Sequence, residues 1–139
     1  MYYKNLEKFT EEQKKIRDIV HYILDNGNEG ITLIRMSKLV YLADMFAKEK
    51  LGRQITNIEW INDRFNILTF DVINVMVNDP QLEISEKVLN FGTKGFYVNL
   101  KVIGRKSLLS NKEVQVLDKV IEKTKFMTFN QLMAIDKIF

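Results

Sequence analysis

Apolar residues recur at helical spacing in Ile16, Ile19, Val20, Ile23 and Leu24. Ahead of them Thr10-Glu11-Glu12-Gln13 has capping-box form, in which the hydroxyl and the glutamine each answer an orphan backbone N–H. Gly27 supplies a stop, so a helix is predicted over about 10–26. Tyr2, Tyr3, Leu6 and Phe9 before it predict a docked N-terminal segment. A second helix, capped by Thr32, carries Leu33, Met36, Leu39, Val40, Ala43, Phe46 and Ala47, with Tyr41 and Leu42 widening the stripe. So broad a stripe predicts a helix enclosed on most sides, ended by Gly52.

From Ile55 to Phe65 the pattern shifts to alternation, with Ile58 and Trp60 set against Glu59 and Ile61. This predicts a short strand or an extended arm. Thr69 is placed to cap a third helix with Val72, Ile73, Val75 and Met76, closed by Asn78-Asp79-Pro80. Two β-type runs follow, LEISEKVLNF and FYVNLKVIG, joined by Gly92-Thr93-Lys94-Gly95, which reads as a hairpin. Ser110-Asn111-Lys112-Glu113 is a second capping box. It opens a helix with Val114, Leu117, Val120 and Ile121 on one face. Thr128-Phe129-Asn130-Gln131 is a third, opening a short last helix through Leu132, Ile135 and Ile138. The predicted class is α+β and predominantly helical. It comprises a single domain of about five helices with a small antiparallel β-hairpin and a short extra strand.

Length supports that reading, since 139 residues suffice for one domain with its own core. With six glycines and one proline, Pro80, the chain carries no Pro- or Ser-rich linker. It has no cysteine, which excludes disulfides and thiolate metal sites and suits a reducing cytosol. MYYKNLEKF lacks the apolar region of a signal peptide, and no apolar run approaches a membrane span. A cytoplasmic protein is expected. The net charge of +3 is unevenly placed. Residues 1–100 hold thirteen Lys/Arg against fourteen Asp/Glu, and residues 101–139 hold eight against four. The basic C-terminal third suits nucleic acid or an acidic partner surface, or else solvated helix faces.

Candidate chemistry is sparse. The one histidine, His21, has Asp18 and Asp25 near it on the helix; the pattern suits a surface or boundary histidine with local ion-pair partners better than a tuned base. Metal binding needs more ligands than this. No G-x-S-x-G, Walker A, G-x-G-x-x-G or H-E-x-x-H pattern occurs, and the Gly92–Gly95 loop leads into a strand rather than a helix. Asp44 and Glu49 near one end of the second helix, with Glu59 and Asp63 beyond, read as charged helix ends rather than a carboxylate pair. Neither enzymatic activity nor a cofactor is expected. Binding is better signalled. Trp60, Phe65 and Phe70 lie within a dozen residues beside Arg64, and Trp and Arg are enriched at interface hot spots. A small domain is nevertheless expected to bury at least two of the three rings and leave only the remainder at the surface.

Met36-Ser37-Lys38-Leu39-Val40-Tyr41-Leu42-Ala43-Asp44, then Gly52 and Trp60, resemble the "KL-YLA … G … W … GP" signature of the Panacea domain family. This family comprises antitoxins and phage-associated proteins related to the SocA proteolytic-adaptor antitoxin. The closing SNKEVQVLDKVIEKTKFMTFNQLMAI is similar to the family's last pair of helices, and the likeness spans about residues 31–135. Two departures stand out. Asn66-Ile67 occupies the place of Gly-Pro, and the histidine often found at the end of the last helix is missing. The resemblance implies a protein-binding module that neutralises a toxin or delivers a partner to a protease. Trp60, Arg64, Phe65, Phe70, Lys94 and Phe96 are then the candidate contact residues. The competing expectation is a winged-helix-like nucleic-acid-binding protein, in which Lys94 at the hairpin tip, Lys101, Arg105 and Lys106 track phosphates. The second helix is too apolar for a recognition helix, which weighs against it.

Overall fold

A nineteen-residue helix at the centre organises the molecule. In a computed structural model describing residues 9–27, 30–60, 70–88, 92, 94–102, 107–136 and 138, α2 spans Leu33–Leu51. The helix begins where the Thr32 hydroxyl accepts the Arg35 N–H. It ends at Gly52, whose left-handed φ of 81° suits a residue without Cβ. Residues Met36–Asp44, Phe46 and Ala47 are all buried, so α2 is enclosed as its pattern predicted. Its enclosure is built by α1 (Glu11–Asp25), α3 (Phe70–Asn78), α4 (Asn111–Thr124), α5 (Phe129–Ala134) and the sheet.

All three predicted capping boxes are present, at Thr10/Gln13, Ser110/Glu113 and Thr128/Gln131. Helix α1 buries Ile16, Ile19, Val20, Ile23 and Leu24 as its spacing required, and Phe9 ahead of it joins the core. Tyr2, Tyr3 and Leu6 lie outside the described residues. On α4 the buried apolar residues are Val116, Leu117, Val120 and Ile121; Val114 is only partly covered. Helix α5 is shorter than its pattern, ending at Ala134. Ile138 reaches the core from beyond the helix.

The sheet has three antiparallel strands in the order β1-β3-β2: β1 is Ile31–Thr32, β2 is Leu82–Val88 and β3 is Lys94–Leu100. Ile31, Val98 and Leu82 face the core. The hairpin was predicted, but its turn is displaced. Val88 pairs with Lys94 and Lys87 with Gly95, so Lys94 opens β3 instead of sitting in the loop. Between Ile55 and Trp60 the chain is the extended arm, without strand pairing. The short extra strand is instead β1, which pairs with Val98 and Tyr97. Residues 61–69, with Thr69, Arg64, Phe65 and the Asn66-Ile67 departure, lie outside the described residues. The α+β, predominantly helical class holds.

Candidate functional site

The arm after α2 is held by one carboxylate. Asp44, wholly buried on α2, accepts the backbone N–H of Ile55 and of Thr56 at 3.0 Å each. It also accepts the Thr56 hydroxyl, and the indole N–H of Trp60 at 2.8 Å. Burial pushes the Asp44 carboxyl above the usual aspartate range, and the donors from Thr56, Trp60 and Ile55 pull against that shift. Gln54 steadies the same turn, its amide nitrogen donating to the Ile58 carbonyl at 3.0 Å. Asp44 is therefore not a charged helix end, and among the described residues it pairs with no carboxylate; Asp63 lies outside them. Its partners are all donors, and Glu49 and Glu59 are exposed.

Trp60 is half-buried, its ring set edge-on to Tyr41 with centroids 5.3 Å apart and planes at 80°. One turn before Tyr41, the buried Lys38 places its ammonium 5.4 Å from the Tyr41 ring centroid and 3.5 Å from the Met133 carbonyl. Burial lowers the Lys38 pKa, with Asp136 opposing. Lys38, Tyr41, Asp44 and Trp60 thus form one internal brace joining α2, the arm and the segment around α5. The sequence placed these residues in a motif without revealing that they satisfy one another.

Outside the brace, the arm, α1 and α3 border an open groove of about 440 Å³. Thr10, Gln13, Asn57 and Asn74 line it together with three carboxylates, Glu12, Glu59 and Asp71. Phe70, next to Asp71 at the start of α3, is 79 % exposed. The structure thus sets Trp60 and Phe70 near an acid-lined surface. Phe96 is also exposed, but it lies opposite Glu86 toward the far end of the hairpin. Lys94 there stands 3.4 Å from Glu86, an ion pair that partly satisfies its charge. Phe96 and Lys94 form a second exposed place, distinct from Phe70 along the fold. Lys101 is exposed just after β3, while Arg105 and Lys106 lie outside the described residues.

Among the exposed apolar side chains that sequence reading missed, Phe126 is 89 % exposed. A signal existed. It falls between the last apolar residue of α4 and the Thr128 cap, on neither helix's stripe. His21 also differs from expectation. It is buried, and its Nε2 lies 2.7 Å from Asp79 Oδ2 at the turn after α3, rather than pairing along α1. Among the described residues no group of three or more histidines and carboxylates is arranged to hold a metal. No helix among them is long and apolar enough to cross a membrane.

Comparison with known proteins meets this geometry at the brace. Neither a curated protein nor a solved structure matches the chain. The family described as Antitoxin SocA-like, Panacea domain, matches residues 36–137, from the buried start of the Lys38–Asp44 stretch to the end of the α5 segment. That match covers most of the chain and every member of the brace, and the protein belongs to the SocA-like Panacea antitoxin family.

Proposed function

We propose that this protein is a non-enzymatic, antitoxin-like binding module that acts in the cytoplasm by direct protein contact, either neutralising a toxin or handing a partner to a protease. Family membership over residues 36–137 carries the reading. The geometry supports it through a division of labour. Lys38, Tyr41 and Asp44 are spent inside the domain, while Phe70, the outer face of Trp60 and the groove bordered by Glu12 and Glu59 face outward to meet a partner. A groove lined by carboxylates, with the exposed Phe70 next to Asp71 in the chain, suits a basic segment carrying an apolar anchor. Phe96 and Lys94 supply a second contact point, and Arg64 and Phe65, outside the described residues, remain candidates from the sequence.

The test is co-expression with the products of the flanking genes, since antitoxins are encoded beside their toxins. A flanking product that arrests growth should be silenced by this chain and should co-elute with it after nuclease treatment. Growth arrest that persists despite abundant folded chain would sink the reading. Capture of nuclease-sensitive nucleic acid alone, with steep salt dependence, would favour the basic C-terminal third and Lys94, Lys101, Arg105 and Lys106 instead.

A further inference from the structure

Strand β2 forms one border of the sheet, and among the described residues no strand lies on its outer side. The Lys101 N–H donates to the Gln81 carbonyl at 2.8 Å, so the odd-numbered residues of β2 turn their backbone groups toward β3. Ile84, Glu86 and Val88 turn theirs outward. Leu82 does so too, its N–H meeting the Asp79 carbonyl at 3.2 Å. Exposed edges are usually blunted by proline, a bulge or like charges. β2 has no proline, and its register runs without a bulge from Leu82↔Leu100 to Val88↔Lys94.

Its charges are arranged differently from a blunted edge: they complement themselves. Laid antiparallel on a second copy about Ser85, LEISEKV sets Glu83 against Lys87 of that copy and Lys87 against its Glu83. The same register brings the outward-turned residues face to face, Ile84 to Glu86 and Leu82 to Val88, as an antiparallel ladder requires. Leu82 is wholly buried and its N–H is already taken by Asp79, so among the described residues the free ladder groups are those of Ile84, Glu86 and the 72 % exposed Val88. Sliding the register by two residues sets Glu86 against Glu86, or Glu83 against Ser85, and the twofold match is lost.

We infer that β2 is a homodimerisation edge, through which two copies pair antiparallel about Ser85 and join their three-stranded sheets into one. This inference does not rest on the antitoxin reading. The test is the mass of the full chain by light scattering and sedimentation, followed from low to high micromolar concentration. The expected result is twice the 16.4 kDa chain mass at the upper end. Glu86→Pro removes an outward N–H while leaving the bonds to β3, and should give monomer. Glu83→Lys sets like charges together twice and should weaken the dimer by roughly tenfold. Adding Lys87→Glu to it should restore wild-type association.

Circular dichroism checks each variant's fold; if Glu86→Pro does not fold, the charge-reversal pair decides. A wild-type monomer throughout overturns the inference. So does a dimer indifferent to Glu86→Pro, or a double variant no better than Glu83→Lys. An edge that pairs only with an added toxin strand overturns it as well.

Discussion

Replacing Asp44 by alanine should unfasten the arm. The substitution removes a buried acceptor and leaves five donors facing it: the N–H groups of Ile55 and Thr56, the Thr56 hydroxyl, the Trp60 indole and, at 3.5 Å, the Gln54 amide. A hydrogen bond to a charged group contributes about 1.5–3 kcal/mol, but such terms do not add within one network. Two effects reduce the loss. The burial that raises the Asp44 pKa already costs the folded state, and the Trp60 side of the site is partly open to water. A net destabilisation of about 3–5 kcal/mol is expected, a large share of the roughly 5–15 kcal/mol that holds such a domain together. The assay is urea unfolding followed by far-ultraviolet circular dichroism. In parallel, the fluorescence of Trp60, the protein's single tryptophan, reports the arm directly. Trp60→Phe, which loses only one of these bonds, should cost less, about 1–2 kcal/mol. A loss below about 1 kcal/mol for Asp44→Ala, with unaltered Trp60 emission, would refute the idea that this carboxylate holds the arm.

Glu113 gives a pH-dependent expectation. Burial raises its pKa, but the Lys15 ammonium at 2.8 Å and the Ser110 backbone and hydroxyl outweigh that and hold it below the usual glutamate value. Its stabilisation is present above 4.5 and lost as pH falls through the lowered folded value. Glu113→Gln should therefore cost about 1 kcal/mol at neutral pH in urea unfolding and almost nothing in strong acid. Equal losses at both would contradict the pairing. Tyr22, whose hydroxyl donates to Asp118, has its pKa pushed up to about 12 by burial and by that carboxylate. In an ultraviolet titration it should ionise after most of the five tyrosines, and Tyr22→Phe should delete that late step. Phe70→Asp should leave thermal stability within about 0.5 kcal/mol of wild type, because the ring is exposed. If the proposed function holds, the same variant should weaken co-elution with a growth-arresting flanking product; undiminished capture would remove Phe70 from the contact surface.

What the sequence disclosed was what neighbours in the chain decide among themselves. Thr10 with Gln13, Ser110 with Glu113, and Thr128 with Gln131 are separated by three residues, and each box reads directly from residue types. The hairpin was legible for the same reason, although its glycines drew the turn too far forward; pairing of Lys94 with Val88 outweighed local turn preference. Distance hid the rest. His21 meets Asp79 across 58 residues, and Arg35 meets the Thr124 carbonyl across 89. The arm left two readings open because its alternation of Ile58, Glu59 and Trp60 is strand-like; the extended arm holds because the backbone groups of Ile55 and Thr56 are claimed by a side chain rather than by another strand. Phe70 was singled out in the sequence, but its exposure came only from the structure. The brace was visible as a motif, and its purpose was not.

The Asp44 anchor also bears on the order in which the chain assembles. Its bonds close loops of 11, 12 and 16 residues, whereas Lys38 reaches Met133 across 95. Closing the longer loop costs about three doublings, hence roughly 2 kcal/mol more in chain entropy. During synthesis every group of the anchor has left the ribosome once Trp60 has emerged, before any residue of α4 or α5 exists. Helix α2 and its arm can therefore settle as a local unit, giving the late-arriving C-terminal helices a finished surface on which to dock.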